Sequence, residues 1–345
     1  MSIELIAPAE GEIISLITDM HKQFLADGGN KESGIESFDY LTLFRQGEDN
    51  SIGAPAVIKF KTDITGEKFV YLSENENFDK YRIFSAQKNE VEIYNLFLGK
   101  EYFWRVVVKD DCGVEHQSKV SYFITDTQTP RWIKASNSVK KSEKELTNIR
   151  DIGGWKTADG KKIKQGLVYR GSEMDDHCVL TDYAKKVLLD ELNIRVDYDI
   201  RKPVATASPL GEGVKLVHIP MLGAYERISE FKEDYKKMFR VFADKDNYPM
   251  YIHCWGGADR TGTLIFLLCG ILGMSEEDLY MEYELTSFSV WGPRSSNSEL
   301  FTGFKEELNK YGTDKDSIKT KCENFAYSTG VTKEEINAIK AILTE

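Results

Sequence analysis

Two domains of different class are predicted from the order of residues: an N-terminal all-β sandwich, then an α/β domain whose central sheet is flanked by helices. Three observations predict this. Apolar and polar residues alternate with strand period between residues 55 and 125, helical and strand-like stretches alternate from about residue 181 onward, and a polar stretch ending in Pro130 and Arg131 separates the two patterns. A chain of 345 residues also exceeds what one core usually supports. The expected division is 1–128 for the sandwich, 129–145 for a linker and 146–345 for the α/β domain.

The strand-like runs are Val57–Phe60, Phe69–Leu72, Tyr81–Phe84, Val91–Tyr94, Tyr102–Val108 and Val120–Ile124, with turn-like Ile64–Glu67 and Asp110–Gly113 between them. Ser15–Ala26 reads as helical and fits no sandwich position. In the second region Thr181–Leu192 reads as a capped amphipathic helix, Ile194–Ile200 and Val214–Ile219 as strands and Phe231–Phe242 as a helix. Met250–His253 is a short apolar strand ahead of a glycine-rich turn, and Leu264–Leu272, Glu276–Leu285, Leu300–Tyr311, Ser317–Phe325 and Glu334–Leu343 read as helices around the sheet.

Composition bounds the function. With 41% hydrophobic and 29% charged residues the chain is expected to be globular and soluble. A formal net charge of −11 disfavours nucleic acid and anionic membrane surfaces as large partners. A small anionic substrate is not excluded, because a local nest of N–H groups with one Arg outweighs a diffuse acidic field at contact distance. The five cysteines, Cys112, Cys178, Cys254, Cys269 and Cys322, form no CxxC pair, so neither a disulfide framework nor a metal site is indicated, and no cofactor is implied. No apolar run is long enough to span a bilayer. The compartment is left open: cytoplasmic, or exported after removal of a signal peptide.

The stretch His253-Cys254-Trp255-Gly256-Gly257-Ala258-Asp259-Arg260-Thr261-Gly262 carries the chemistry. Five residues between a Cys and an Arg, entered from a strand and followed by a helix, let the backbone curl so that its N–H groups converge on a dianion. The helix N-terminus points at the same place. Gly256, Gly257 and Gly262 permit the curve. Cys254 is the expected nucleophile, Arg260 the bidentate phosphate clamp, and Trp255, Gly256, Gly257, Ala258, Thr261 and Gly262 the phosphate-binding frame, with the Thr261 hydroxyl directed to the sulfur.

Two resemblances follow from these residues. Leu96-Phe97-Leu98-Gly99-Lys100-Glu101-Tyr102-Phe103-Trp104-Arg105-Val106 resembles the Leu-x-Pro-Gly-x-x-Tyr-x-Trp-x-Val stretch of fibronectin type III domains, without the proline, and implies a fibronectin- or immunoglobulin-like module with a protein or glycan as its partner. His-Cys-x-x-Gly-x-x-Arg-Thr is the phosphate-loop motif of the tyrosine phosphatase superfamily, and Asp259 beside Arg260 resembles the Cys-x-x-Gly-x-Asp-Arg-Thr-Gly variant of atypical bacterial tyrosine and lipid phosphatases. Asn148-Ile149-Arg150-Asp151-Ile152-Gly153-Gly154, Tyr169-Arg170-Gly171-Ser172 and Asp199-Ile200-Arg201 are similar to further segments of that subfamily. The resemblance implies phosphomonoester hydrolysis through a cysteinyl-phosphate, on phosphotyrosine or a related phosphoprotein. Phosphoinositides or inositol phosphates are the alternative substrates, and phosphate binding without turnover is the non-enzymatic alternative.

In that subfamily the loop aspartate is the general acid, so Asp259 takes this role; Glu226 and Asp199 are the competing carboxylates. Ala258 stands where the subfamily often has Lys, which weakens the inference toward polyphosphorylated head groups. His253 is expected to shape the loop, Arg170 and Asp151 to pair with each other beneath it, and Arg294 to be an ordinary solvated arginine, with a reach to substrate as its alternative.

Overall fold

The computed structural model describes residues 2–29, 48–202, 205–221 and 225–345. The chain divides into two compact units, one of Met1–Thr18 with Gly53–Arg131 and one of Asp19–Ile52 with Trp132–Glu345.

The first unit contains strands β1 (Ile3–Ala7), β2 (Glu12–Ile14), β3 (Ala56–Thr62), β4 (Glu67–Ser73), β5 (Arg82–Ser85), β6 (Glu90–Ile93), β7 (Glu101–Lys109), β8 (Glu115–Gln117) and β9 (Ser121–Thr125). They form a three-stranded sheet, β1-β3-β6, and a larger sheet ordered β2-β9-β7-β4-β5, with β8 on β7. The alternation read from the sequence is the alternation of faces. Ile58, Phe60, Val91 and Ile93 of one sheet and Val70, Leu72, Trp104, Val106, Val108 and Phe123 of the other are buried in one core.

The second unit is built on a six-stranded sheet of β10 (Arg131–Trp132, at the boundary of the two units in sequence), β11 (Arg150–Asp151), β12 (Val168–Gly171), β13 (Val196–Asp199), β14 (Lys215–His218) and β15 (Met250–His253), in the order β10-β11-β12-β15-β13-β14. Pairings β12 to β15, β15 to β13 and β13 to β14 are parallel, and Gly171, His253 and Asp199 lie side by side where three strands end. Helices α1 (Asp19–Ala26), α2 (Asp182–Lys186), α3 (Lys232–Ala243), α4 (Asp259–Leu272), α5 (Glu276–Glu284), α6 (Glu299–Asn309), α7 (Ile318–Ser328) and α8 (Lys333–Leu343) belong to this unit. Buried from Thr261 to Leu272, α4 is apolar all round, which suits a central helix with no solvent face. Among the described residues no helix is long and apolar enough to cross a membrane.

Two features depart from the linear division expected above. Residues 129–145 do not form a solvated tether throughout: Trp132, Ile133 and Ala135 are buried in the second unit. Their apolar spacing outweighs the Lys and Ser residues around them. The helical stretch near Ser15–Ala26 is α1, and it packs within the second unit, where Phe24 meets Phe288 edge-on with ring centroids 5.0 Å apart. His21 lies between Trp132 and Phe288, with its Nε2 2.8 Å from the Asn50 carbonyl oxygen.

Burial lowers the His21 pKa to about 4 from an ordinary 6.5, although the Asn50 contact pulls the other way. The unfolded chain therefore binds the proton first, and the second unit loses stability as pH falls from about 6.5 toward 4, by up to about 3 kcal/mol from this group. Denaturant titrations across that window are expected to show this loss in the wild type and a flatter profile in His21→Gln.

Candidate active site

Residues 254–258 link β15 to α4 at the carboxyl edge of the parallel strands, and each loop carbonyl is tied from outside. Cys254 O lies 3.3 Å from His253 Nδ1, Trp255 O accepts from the Glu173 amide at 2.9 Å, and Gly256 O accepts from Asn148 Nδ2 at 3.0 Å. Arg170 Nη2 donates to Gly257 O and, at 3.1 Å, to Ala258 O. A peptide N–H points opposite to the carbonyl before it, so five outward carbonyls turn the next five amides inward. Among the described residues no carbonyl or side-chain acceptor takes the N–H groups of Trp255, Gly256, Ala258, Asp259 or Arg260, and those of Gly257 and Thr261 face the Cys254 sulfur. Helix α4 begins after Ala258 without a side-chain cap, whereas Thr181, Ser275, Ser298, Ser317 and Thr332 cap their own helices. The result is a concave run of free donors at a helix N-terminus, which is an anion nest.

Two glycines make this curve possible. Gly257 has φ +61°, and a Cβ there would lie 2.0 Å from the Gly171 carbonyl oxygen. Gly171 in turn leaves room for the Tyr251 hydroxyl, which a Cβ would meet at 2.2 Å.

Cys254 is buried at the bottom of the nest. Burial alone would raise its pKa; the Arg260 charge, the Thr261 hydroxyl and the Thr261 and Gly257 amides outweigh it and bring the thiol below its ordinary value. Among the described residues the buried Thr261 Oγ1 has no other partner. Among the described residues the Arg260 guanidinium donates to no protein group, and it is partly exposed beside the sulfur. The loop and the first turn of α4 thus place Arg260, Thr261 and the Gly257 amide at the Cys254 sulfur, whereas Gly262 lies within α4 against Tyr283.

The carboxylates separate clearly. Asp199 is buried in the fork of Arg201, with Oδ2 2.9 Å from Nη2 and Oδ1 accepting the Arg201 amide at 2.8 Å, so it anchors a strand end. Glu226 falls in the 3₁₀ segment Tyr225–Glu230, and its side chain lies outside the described residues. Asp259 stands on the first turn of α4 and accepts from Arg294 through both oxygens, Nε to Oδ1 at 2.6 Å and Nη2 to Oδ2 at 2.9 Å. Arg294 is therefore no ordinary solvated arginine. Desolvation would lower its pKa, but the bonds and charge of Asp259, together with the nearby Tyr283 and Cys254, raise it.

Arg170 and Asp151 do not pair with each other. Arg170 bonds Glu282 Oε2 at 2.6 Å, while Asp151 accepts the Gly153 and Gly166 amides at 2.8 and 2.6 Å and so shapes its own turn. Glu282 also holds Arg150 Nε at 2.8 Å, and Arg150 Nη1 bonds Asn148 Oδ1 at 2.5 Å, which fixes the amide that holds Gly256. Burial, with the neighbouring Arg170 charge, lowers the Arg150 pKa to about 9 against the opposing pull of Glu282. His253 is held by Asp197 at 2.8 Å; burial alone would depress it, but the Asp197 and Asp199 carboxylates raise its pKa. Both ring nitrogens of the charged form donate, one of them toward the loop carbonyl.

At the mouth Trp255 lies between His177, 4.5 Å away centroid to centroid, and the Arg201 guanidinium at 5.4 Å. The Trp291 ring backs Gly256, where a Cβ would meet it at 2.7 Å. Sequence reasoning missed Glu282, Ser51, His177 and Trp291. Ser51 Oγ accepts the Asn148 amide at 2.8 Å, so a residue 97 positions away supports the loop. No periodicity or motif marks such a contact.

Gly257→Ala is expected to abolish oxyanion binding at the loop, because Cβ would overlap backbone and not a movable side chain; calorimetric titration with tungstate checks it. Glu282→Gln leaves two buried guanidinium groups without their shared carboxylate and is expected to destabilise the second unit by about 3–5 kcal/mol, read from denaturant midpoints.

The family model described as tyrosine phosphatase family matches residues 142–345, well over half of the chain. A candidate tyrosine-protein phosphatase of Cupriavidus necator is 26% identical over 166 residues, which cover 40% of this chain and 59% of that protein, so the match spans about three fifths of the relative's length. Among solved structures, the core catalytic domain of PP-IP phosphatase SIW14 from S. cerevisiae, in complex with citrate, has 20% identity and a TM-score of 0.32 over 42% of this chain and 83% of that one. P. aeruginosa TpbA has 15% identity and a TM-score of 0.34 over 51% and 97%. The family model, spanning both the loop and the side chains that tie it, settles the assignment: the chain belongs to the tyrosine phosphatase family.

Proposed function

We propose that the second unit is a cysteine-dependent phosphomonoester hydrolase. The observation that carries this reading is the set of inward amides and an unpaired guanidinium facing a thiol whose pKa is lowered despite burial. In the first step Cys254 sulfur attacks phosphorus and the bond to the ester oxygen breaks, with Arg260 and the loop amides holding the equatorial oxygens. Asp259, at the rim, gives its proton to the departing oxygen; in the second step it takes a proton from the water that attacks the cysteinyl-phosphate. Sulfur then leaves as the thiolate, stabilised by the Thr261 hydroxyl.

Phosphotyrosine is the favoured substrate class. Trp255, His177 and Trp291 give the mouth aromatic walls suited to a planar leaving group, and Ala258 adds no cation for a second phosphate. The first unit is read as a fibronectin type III-like sandwich. Two facts support that: its two sheets share one core, and the Tyr102 hydroxyl accepts the Phe97 amide at 3.0 Å, the tie that a tyrosine corner makes to backbone a few residues upstream. Its partner, protein or glycan, follows from that resemblance alone.

Wild-type protein in reductant is expected to hydrolyse p-nitrophenyl phosphate and Cys254→Ser to show no turnover. Tungstate binding without wild-type turnover would leave only a phosphate-recognition module. Because the thiol pKa is lowered, the thiolate persists at pH values where an ordinary cysteine is protonated. Alkylation of Cys254 by iodoacetamide is therefore expected to stay fast as pH falls below the usual thiol range, and to slow there in Arg260→Ala. Phosphotyrosine peptides set against phosphoinositides in the same assay decide the substrate class.

A further inference from the structure

Arg294 is placed by its own turn before it meets Asp259. Its amide donates to Ser287 Oγ at 2.9 Å, its carbonyl accepts from that hydroxyl at 3.0 Å, and Nη1 lies 3.2–3.3 Å from the carbonyl oxygens of Trp291, Gly292 and Pro293. A guanidinium so anchored presents Nε and Nη2 as a fixed fork, and the fork grips Asp259 at 2.6 and 2.9 Å. The Tyr283 hydroxyl makes a longer contact of 3.4 Å to the same Oδ1. The turn that carries this fork also carries Trp291, which backs Gly256, so one segment braces both the nest and the carboxylate at its rim.

We propose that Arg294 is the positioning residue for Asp259, holding its carboxyl toward the leaving oxygen through both halves of turnover. The proposal rests on the reading of Asp259 as proton donor. The two prongs are unequal, and that makes the arrangement workable. A carboxyl protonated on Oδ2 gives up the 2.9 Å contact but still accepts at Oδ1 from Nε, so it is held while it carries the proton. Once the proton passes to the ester oxygen, both oxygens accept again and the full clamp re-forms around the base needed for the second step. A lysine would offer one point of attachment in place of the fork.

The test is a leaving-group comparison. Asp259→Asn is expected to lose about 10²–10⁴-fold on phenyl phosphate, whose departing oxygen needs a proton, and far less on 2,4-dinitrophenyl phosphate, whose does not. Arg294→Gln is expected to lose about 10²-fold with the same selectivity for the poor leaving group. Arg294→Lys should fall between it and wild type, and the double variant Arg294→Gln/Asp259→Asn should be no slower than Asp259→Asn alone. Competitive inhibition by tungstate should stay within about twofold in the Arg294 variants, which also shows that the nest is folded.

Equal losses on both esters with weakened tungstate inhibition would overturn the proposal and make Arg294 a phosphoryl ligand. Multiplicative losses in the double variant would overturn it by showing independent roles. If Asp259→Asn alone shows no leaving-group dependence, the proton-donor reading fails first, and that failure is visible without any Arg294 variant.

Discussion

Fixing the carbonyls of residues 254–258 outward fixes the following amide hydrogens inward, because the C=O and N–H bonds of a planar trans peptide unit point in opposite directions. The site depends on that constraint. No residue of the loop could maintain it alone, since a curve of unpaired donors around a buried thiol is unfavourable until an anion arrives. The tethers come from His253, Glu173, Asn148 and Arg170, which enter from β15, β12 and the segments beside them. The stiffness of the sheet is thereby passed to the loop, and preorganised donors of this kind are what electrostatic catalysis requires.

The tethers carry a cost of their own. Arg150 and Arg170 are fully buried and share the single carboxylate of Glu282. Such a cluster is weak evidence for stability, since apolar side chains of similar volume often do as well. Its value lies in geometry. Arg170 reaches two successive loop carbonyls from one planar group, and Arg150 orients Asn148, which reaches a third. Asn148 is also held by Ser51, so the frame of the site draws on a residue that precedes most of the sandwich strands in sequence.

Legibility followed the length scale of the cause. Strands of period two, the helix cap at Thr181 and the loop from Cys254 to Gly262 are local, and the sequence displays them directly. The carbonyl tethers were half visible: Asn148, Arg150 and Arg170 stood out by resemblance, but their partner Glu282 sits on a helix among other acidic residues with nothing to distinguish it. The expected pairing of Arg170 with Asp151 failed because β11 and β12 align Arg150, not Asp151, with Arg170. Arg294 looked solvated because proximity to Asp259, 35 residues earlier, depends on how the turn after α5 folds back. The placement of α1 was illegible for the same reason, since which core an amphipathic helix joins is a tertiary decision.

Five arginines surround or underlie the loop, and their pairing decides which of them an incoming anion senses. Arg150 and Arg170 are compensated by Glu282, Arg201 by Asp199, Glu173 and Asp175, and Arg294 by Asp259. Among the described residues Arg260 alone of the five has no carboxylate partner. Paired charges cancel within a few ångströms and act as rigid hydrogen-bond geometry, whereas the unpaired one retains its field in a partly dry cleft. A chain of net charge −11 can therefore lower the pKa of one sulfur and still offer a locally positive cradle beside it. The wider acidic field is screened, and of the five arginines described around the loop the one without a carboxylate partner lies beside that sulfur.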